Sequence, residues 1–553
     1  MAKSAALPVE LEKMATVPLS DSDTIPANPA ENAAAGDNEP QYPTGVKFWT
    51  VMASVTVVAF LMMLDTSIIS TAVPRITDEF HSLEDVGWYA SAYQLASAAL
   101  QPLTGKIYTK FTLKWSFLAF FALFELGSTI CGAAVSSTML IVGRAVAGMG
   151  ASGLMNGGLT IIASAVPLDK RPSVTGSMMG ISQLGIVCGP LIGGAFTSYS
   201  TWRWCFYINL PVGGLVAVGL CFAHIPDQIK KSSPLLVLRN LHHELDLIGF
   251  VLFAPAAIQL LLALQYGGSD YAWNSATVIG LLCGAGATFA VWLFWNWRRG
   301  EDALIPLSTM KRRVVWSTSV TQWLLMSTLY CSTYFIPIYF QAVRDATPIL
   351  SGVYMLSSIV SQLLFAIASG FLVERTGYII PYTIFAGVLA AVSSGLTSTW
   401  SPTTPTGKWV GYMILGGSGR GAGMQMPMLA LQAGLQQAEL AVAIALLMFF
   451  QMLGTAVMLV ISNIIFLETL RSQLAALVPD VNIDDIIKAG ATGFRKVVSA
   501  DDLPGVVLAY SNSVDRVFWL ITGLGGLSVF TALFMGWVDI RKKKAPAAGS
   551  EQA

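Results

Sequence analysis

Charge is scarce in this chain. Only 12% of its 553 residues are Asp, Glu, Lys or Arg, about half the roughly 25% of a soluble domain. The 32 basic and 32 acidic residues cancel, which leaves no basic field to draw in nucleic acid, and no nucleic-acid partner is expected. Histidine occurs four times and cysteine six times. Neither C-x-x-C nor H-E-x-x-H is present, and His242-His243-Glu244 fits no metal spacing, so no metal or redox centre is expected. The cysteines are expected as packing thiols. The P-loop pattern G-x-x-x-x-G-K-[ST] is missing too, which excludes that route to ATP as a drive. With no nucleophile–base or metal-ligand set, an enzyme is not expected, nor a bound cofactor.

Apolar sequence takes the place of charge: 54% of residues are hydrophobic, and the mean hydropathy is +0.62. Runs of about 20 residues, enough to span a bilayer as a helix, lie near 48–73, 86–107, 114–134, 138–160, 176–197, 206–224, 246–266, 276–296, 316–340, 350–373, 380–399, 408–430, 439–466 and 517–537. The runs at 206–224 and 408–430 are the most interrupted by Pro and Gly. Fourteen runs predict an all-α membrane protein, because open strands leave backbone groups unsatisfied in lipid.

Lys and Arg mark the orientation. Placing the N-terminus inside puts Lys106, Lys110, Lys114, Lys170, Arg171, Lys230, Lys231, Arg298, Arg299, Lys311, Arg312, Arg313, Arg375 and the RKKK at 541–544 in the cytoplasm. The short outer loops then keep Arg75, Arg203, Arg344 and Lys408. Both termini are expected to be cytoplasmic, in a monomer of the plasma membrane, with the vacuolar membrane as the alternative. Residues 1–45, rich in Ala, Pro, Glu, Asp and Asn, carry no secretory signal and read as a disordered cytoplasmic tail. A six-helix half over 46–225, a linker and two inserted helices over 226–313, and a second six-helix half over 314–540 follow, then a tail at 541–553. The second half includes a long outer loop, 467–516, in which LRSQLAALV and IDDIIKAG suggest short amphipathic helices. Two glycine-and-charge turns, Gly105–Phe111 and Gly370–Gly377, read as an internal echo of the kind that repeated transporter halves produce.

Three charges fall inside the runs. Asp65 is the lone charge of the first run, Glu125 sits in the third and Arg144 in the fourth. Helical rise puts them about 12, 14 and 9 Å below the outer ends of their helices. Ionisable groups at such depth face a cavity or a partner, and they mark function by default. The three are candidates for proton coupling, with a static cluster that only fixes helix register as the alternative. Arg420, in GGSGRGAGMQMP, is a fourth buried charge with no acidic partner in sequence. It would attract an anionic or polarisable ligand, or equally bond backbone carbonyls.

In the fifth run, Gly185, Gly189 and Gly193 recur every four residues, flanked by Gly176, Pro190 and Gly194. Small residues at this spacing let another backbone approach, and a proline invites a kink. Gln94, Asn156, Gln183, Gln322, Gln362, Gln425 and Gln451 interrupt otherwise apolar runs, with aromatics such as Tyr93 and Trp323 interleaved. Together with Arg420 they are candidate linings of a cavity for a hydrophobic, mostly uncharged small molecule.

The run Leu64-Asp65-Thr66-Ser67-Ile68-Ile69-Ser70-Thr71-Ala72-Val73-Pro74 resembles the first-helix signature of the fourteen-spanner drug:proton antiporters of the major facilitator superfamily. The run Gly176-x8-Gly185-x3-Gly189-Pro190-x2-Gly193-Gly194 matches the antiporter motif of that superfamily at every glycine. Arg144 with Gly148 and Gly150 resembles its fourth-helix motif, and Thr201–Pro211 its turn between helices five and six. The style is that of fungal toxin and multidrug efflux members. The resemblance implies a major facilitator fold, two six-helix halves plus two extra central helices, and export of a hydrophobic small molecule, toxin, secondary metabolite or drug, driven by the proton gradient. One departure stands out. Where the family's turn after helix two has an acid, a glycine and an arginine, this chain has Thr109, Thr112 and Leu113. A cytoplasmic charge latch is therefore expected only in the second half, at Gly370, Glu374, Arg375 and Gly377. An importer of a chelate or amino acid on the same scaffold, and a non-transporting membrane receptor, are the rival functions.

Overall fold

The computed structural model describes residues 42–541, except 82–84, 224, 229–230, 232–236, 238, 269–270 and 480. The two expected tails lie almost wholly outside the described residues. Every apolar run coincides with a helix: α1 (Gly45–Phe80), α2 (Val86–Lys110), α3 (Leu113–Gly132), α4 (Ser137–Ala165), α5 (Arg171–Tyr199), α6 (Asn209–Phe222), α7 (Leu247–Tyr266), α8 (Ala276–Arg299), α9 (Arg313–Ile338), α10 (Pro348–Thr376), α11 (Ile380–Thr397), α12 (Thr406–Gly423), α13 (Gln437–Leu477) and α14 (Leu503–Ala532). No strand forms among the described residues beyond an isolated bridge of Gly267 with Tyr271. Eleven helical segments among them are long and apolar enough to cross a membrane. The other three, α2, α9 and α12, are diluted by Gln94 and Gln101, by the Ser and Thr of RVVWSTSVTQ, and by glycines around Arg420.

Polar caps start several helices. Ser136 accepts from the Met139 amide (3.2 Å), Asp246 from Gly249 (3.1 Å) and Thr347 from Leu350 (3.3 Å), each satisfying a donor the helix leaves free. The two interrupted runs are broken where sequence suggested. A short helix, Trp204–Tyr207, precedes α6, and a second one, Met426–Gly434, follows α12 with Pro427 in its first turn.

The segment 467–516 is mostly helical rather than loop. Leu467, Leu470 and Leu474 keep an apolar stripe that prolongs α13, and Leu470 and Leu474 are buried in one cluster with Val506 and Tyr510 of α14. Only 478–502, with the short helix Ile483–Gly493, connects the two. LRSQLAAL therefore continues α13, while IDDIIKAG does form its own helix.

In the first half α5 packs on α1, and α4 packs on both α2 and α3. In the second, α12 packs on α10 and α11, while α14 packs on α9, α11 and α13. The halves meet where α5 packs on α10 and α2 on α13. The inserted α7 and α8 pack on each other, and α7 reaches α2 and α13. On α8, Phe289, Val291, Phe294 and Trp297 point outward, a surface made for lipid rather than water.

Candidate functional site

α1 carries Asp65 into the first half. Its carboxylate meets Arg144 of α4 at 2.6 Å, and both side chains are essentially excluded from solvent (0% and 1% exposed). Arg144 also donates Nε to the Tyr89 carbonyl (2.9 Å), and its guanidinium lies over the Tyr93 ring at 4.5 Å. Asn209 of α6 donates to Asp65 Oδ1 (3.4 Å) and to Ser128 (3.1 Å). A buried ion pair endures only when further hydrogen bonds occupy its remaining donors and acceptors, and here α2 and α6 supply them. Glu125 of α3 lies one turn from Ser128, against Gly213 of α6. Neither of its buried carboxylate oxygens has a hydrogen-bond partner among the described residues.

The glycines of α5 explain how α1 is held. A Cβ on Gly185 would come within 2.8 Å of the Leu64 amide nitrogen, on Gly189 within 2.9 Å of Ile68, and on Gly193 within 2.7 Å of the Ile68 carbonyl. The Ser67 hydroxyl donates across the seam to the Gly185 carbonyl (3.2 Å). The seam lies within the first half and grips the turn after Asp65. Gly176 sits elsewhere: a Cβ there would lie 2.7 Å from the Ala366 carbonyl of α10, in the contact between halves. Gly194 faces open space, and the side chain of Pro190 is outside the described residues.

A cavity with about 1070 Å³ of empty space, its open mouth included, lies between the halves, lined from α1, α4, α5, α9, α10, α12 and α13. It is closed toward the face that holds the chain's described ends. There a Cβ on Gly105 would approach the Val442 Cα to 2.9 Å, a Cβ on Gly370 would approach Ser173 to 3.1 Å, and Gln432 donates to the Leu159 carbonyl (3.5 Å). In the other direction it extends to Thr333, Ile336 and Met355, near the opposite ends of α9 and α10.

Six of the expected lining residues are there: Gln183, Gln322, Gln362, Arg420, Gln425 and Gln451. Gln322 donates to Gln451 (2.8 Å), tying α9 to α13, and Gln425 donates to the Ala366 carbonyl (3.0 Å). Four expected lining residues lie elsewhere. Tyr93 is held against Arg144 because a close α2–α4 crossing, with room for only Gly148, turns it that way. Asn156 is buried and donates to Thr104 (2.8 Å), joining α4 to α2. Trp323 packs onto Gly454 of α13. Gln94 is exposed, outside the lining.

Sequence reading missed the most abundant lining type. Eight of the 23 lining residues are methionine, among them Met179, Met326, Met424 and Met448. The amides of Gln183 (3.8 Å) and Gln362 (4.0 Å) both point at the Met424 sulfur. Asn209 was also missed, although it stands in the quoted run Thr201–Pro211.

The expected latch in the second half is not an ion pair. Arg375 is exposed, and neither it nor Glu374 forms a salt bridge among the described residues. The turn is held by the segment after α14 instead. Ile540 donates to the Gly377 carbonyl (3.0 Å) and Arg541 to that of Arg375 (2.9 Å), with Gly377 at φ +82°. In the first half, the linker supplies what the turn lacks. Asp227 accepts from the Leu113 amide (3.0 Å), Lys231 donates to the Tyr108 and Thr109 carbonyls (both 2.9 Å), and Lys110 pairs with Glu244 (2.6 Å). Burial lowers the Lys231 ammonium's tendency to hold its proton, and Asp227 partly restores it.

Comparison with known proteins adds a family to this geometry. The profile of the Major Facilitator Superfamily matches residues 55–459. The chain is 55% identical to the MFS-type transporter pigP of Monascus ruber over 92% of this chain and 89% of that protein. It is 49% identical to the efflux pump mlcE of Penicillium citrinum over 94% and 95% of the two. The solved structure of the proton:xylose symporter XylE superposes with a TM-score of 0.54 at 14% identity, covering 89% of this chain and 96% of that one, and at that identity it speaks for the fold alone.

Proposed function

The chain belongs to the Major Facilitator Superfamily, and on that premise we propose that it is a proton-coupled exporter of a hydrophobic small molecule, such as a fungal toxin or other secondary metabolite. It is a multi-pass membrane transporter with the fold of that superfamily, not an enzyme. Export is supported by relatives of about half-identical sequence that are named efflux pumps. The energy source is the proton gradient, without a cofactor. We place fourteen spans in the plasma membrane of the producing cell, with both termini cytoplasmic and the transporter acting as a monomer.

One observation carries the coupling: the buried Asp65–Arg144 pair stands on the α1–α5 seam, and α1 also sends Met63 into the cavity. Protonating Asp65 removes the charge that holds Arg144, which keeps the Tyr89 carbonyl and the Tyr93 ring. Asn209, braced by Ser128, stands ready to hydrogen-bond the neutral acid, and Glu125, one turn from Ser128, is a further acceptor without a partner among the described residues. Because α5 grips the turn after Asp65, a shift of α1 on proton exchange pulls on α5. That helix contacts α10 of the other half at Gly176. With the termini inside, the cavity is sealed toward the cytoplasm in this state, and it loads when the contacts at Gly105, Gly176 and Gly370 part. The pair is buried here, so it must open while the cavity faces outward for Asp65 to take its proton from outside, and the proton leaves to the cytoplasm once the contacts at Gly105, Gly176 and Gly370 have parted.

The test is D65N in sealed vesicles with an imposed pH gradient. We expect a folded, membrane-inserted protein whose gradient-driven transport is abolished. Transport at the wild-type rate would remove Asp65 as the proton carrier.

A further inference from the structure

Among the described residues, Arg420 is the only Asp, Glu, Lys, Arg or His in the cavity lining. A guanidinium never gives up its proton in a protein, so the cavity carries a fixed positive charge. Its one hydrogen-bond partner among the described residues is neutral: Nη2 donates to the Ser358 hydroxyl, while the buried Nε has no acceptor among them. This chain balances its other deep arginine differently, setting Arg144 against Asp65 at 2.6 Å. Arg420 is half-buried at the cavity wall with its Nε fully enclosed, and a charge taken that far out of water is normally given a counter-ion. Here no carboxylate lines the cavity.

We infer that the substrate itself supplies that counter-ion: the cavity takes an amphipathic organic carboxylate, its anionic end on Arg420 and its apolar body on the methionines. The guanidinium fork suits a carboxylate bidentately. Met326, Leu329, Tyr330 and Ile336 of α9 and Met355 of α10 line the apolar path away from it. Ser358 holds the fork in place and yields its bond to the incoming oxygen. A cationic amphiphile meets repulsion at the same point, and a neutral one leaves Nε unsatisfied.

This inference rests on reading the cavity as the substrate site, but not on proton coupling. It is tested by equilibrium binding to the full chain in a neutral maltoside detergent, without gradient or anionic lipid. The probes are the fluorescent 11-(dansylamino)undecanoic acid and its methyl ester, which differ only in the charge. Wild type is expected to bind the acid at least about tenfold tighter than the ester, the scale of one charge-assisted hydrogen bond. R420Q should bring the two within about twofold, while R420K and S358A should each keep part of the preference. If R420Q does not fold, R420K decides, a preference equal to that of wild type overturning the inference. No preference in wild type, no binding of either probe, or an R420Q protein that keeps the preference or loses both probes equally overturns the inference. Wild-type transport by D65N, with the acid preference intact, would overturn only the proton coupling through Asp65.

Discussion

Gly189 of α5 lies so close to α1 that a methyl group placed there would strike the Ser67 hydroxyl and approach the Ile68 amide nitrogen to 2.9 Å. Overpacking of this kind costs about 1–3 kcal/mol. G189A should therefore lower the thermal midpoint of the detergent-solubilised protein and abolish export. G194A, on the same helix but facing open space, should do neither. Equal behaviour of the two variants would mean that the seam has no special role.

The buried pair should show strong coupling in a double-mutant cycle. R144Q leaves the Asp65 carboxylate buried without its counter-ion, a loss of about 3–5 kcal/mol. D65N should be milder, because Arg144 keeps the Tyr89 carbonyl and the Tyr93 ring. The D65N/R144Q double variant should recover part of the stability lost in R144Q, read by thermal unfolding. Additive losses would mean that the two charges do not depend on each other.

The linker contacts make a smaller prediction. Asp227 caps the first amide of α3, and loss of such a cap costs about 1 kcal/mol. D227A should unfold at a lower temperature than wild type and be cleaved faster near residues 224–231 by added protease. The half-exposed Lys110–Glu244 pair should matter less, with K110A within about 1 kcal/mol of wild type.

Methionine gives the cavity its adaptability. Replacing Met179, Met326, Met424 and Met448 with leucine conserves volume, at a cost below about 1.5 kcal/mol per site. The flexible thioether is lost, and so is the sulfur toward which Gln183 and Gln362 point. The fourfold variant should remain folded but protect cells against fewer compounds in a growth panel. An unchanged spectrum would show that the sulfurs are incidental.

Acid should weaken the C-terminal end of α1. Glu79 lies beyond the apolar stretch Gly45–Ile69. Its carboxyl is held below the ordinary value of 4.5, first by the Arg203 bond and then by that from Trp202. A carboxylate lowered in the folded state adds stability that is fully present above its unfolded pKa and fades as the pH falls through its folded one. Wild type should lose thermal stability as the pH drops from about 5 toward 3, and E79Q should start lower but fall less over that range. Parallel curves for the two proteins would refute the assignment.

Much of this was legible in the sequence, for reasons that can be named. Fourteen helices could be read because a bilayer demands apolar length, a signal that single residues do not blur. Asp65 and Arg144 could be paired because helical rise puts them at similar depth. Gly185, Gly189 and Gly193 revealed a tight seam, though not that its partner is α1. Tyr93, Asn156 and Trp323 were misplaced because rotation about a helix axis depends on neighbours such as Gly148 and Gly454, distant in sequence. The methionine lining was invisible because the same residue fills ordinary cores. The stretch 467–516 read as loop because a three-leucine stripe is too short to outweigh its charges.

The bonds from Ile540 and Arg541 to the α10–α11 turn stitch the segment after α14 onto the second half. A reporter attached at residue 540 or 541 would ride with that half. Its distance to a label on α2 would then serve as a gauge of opening.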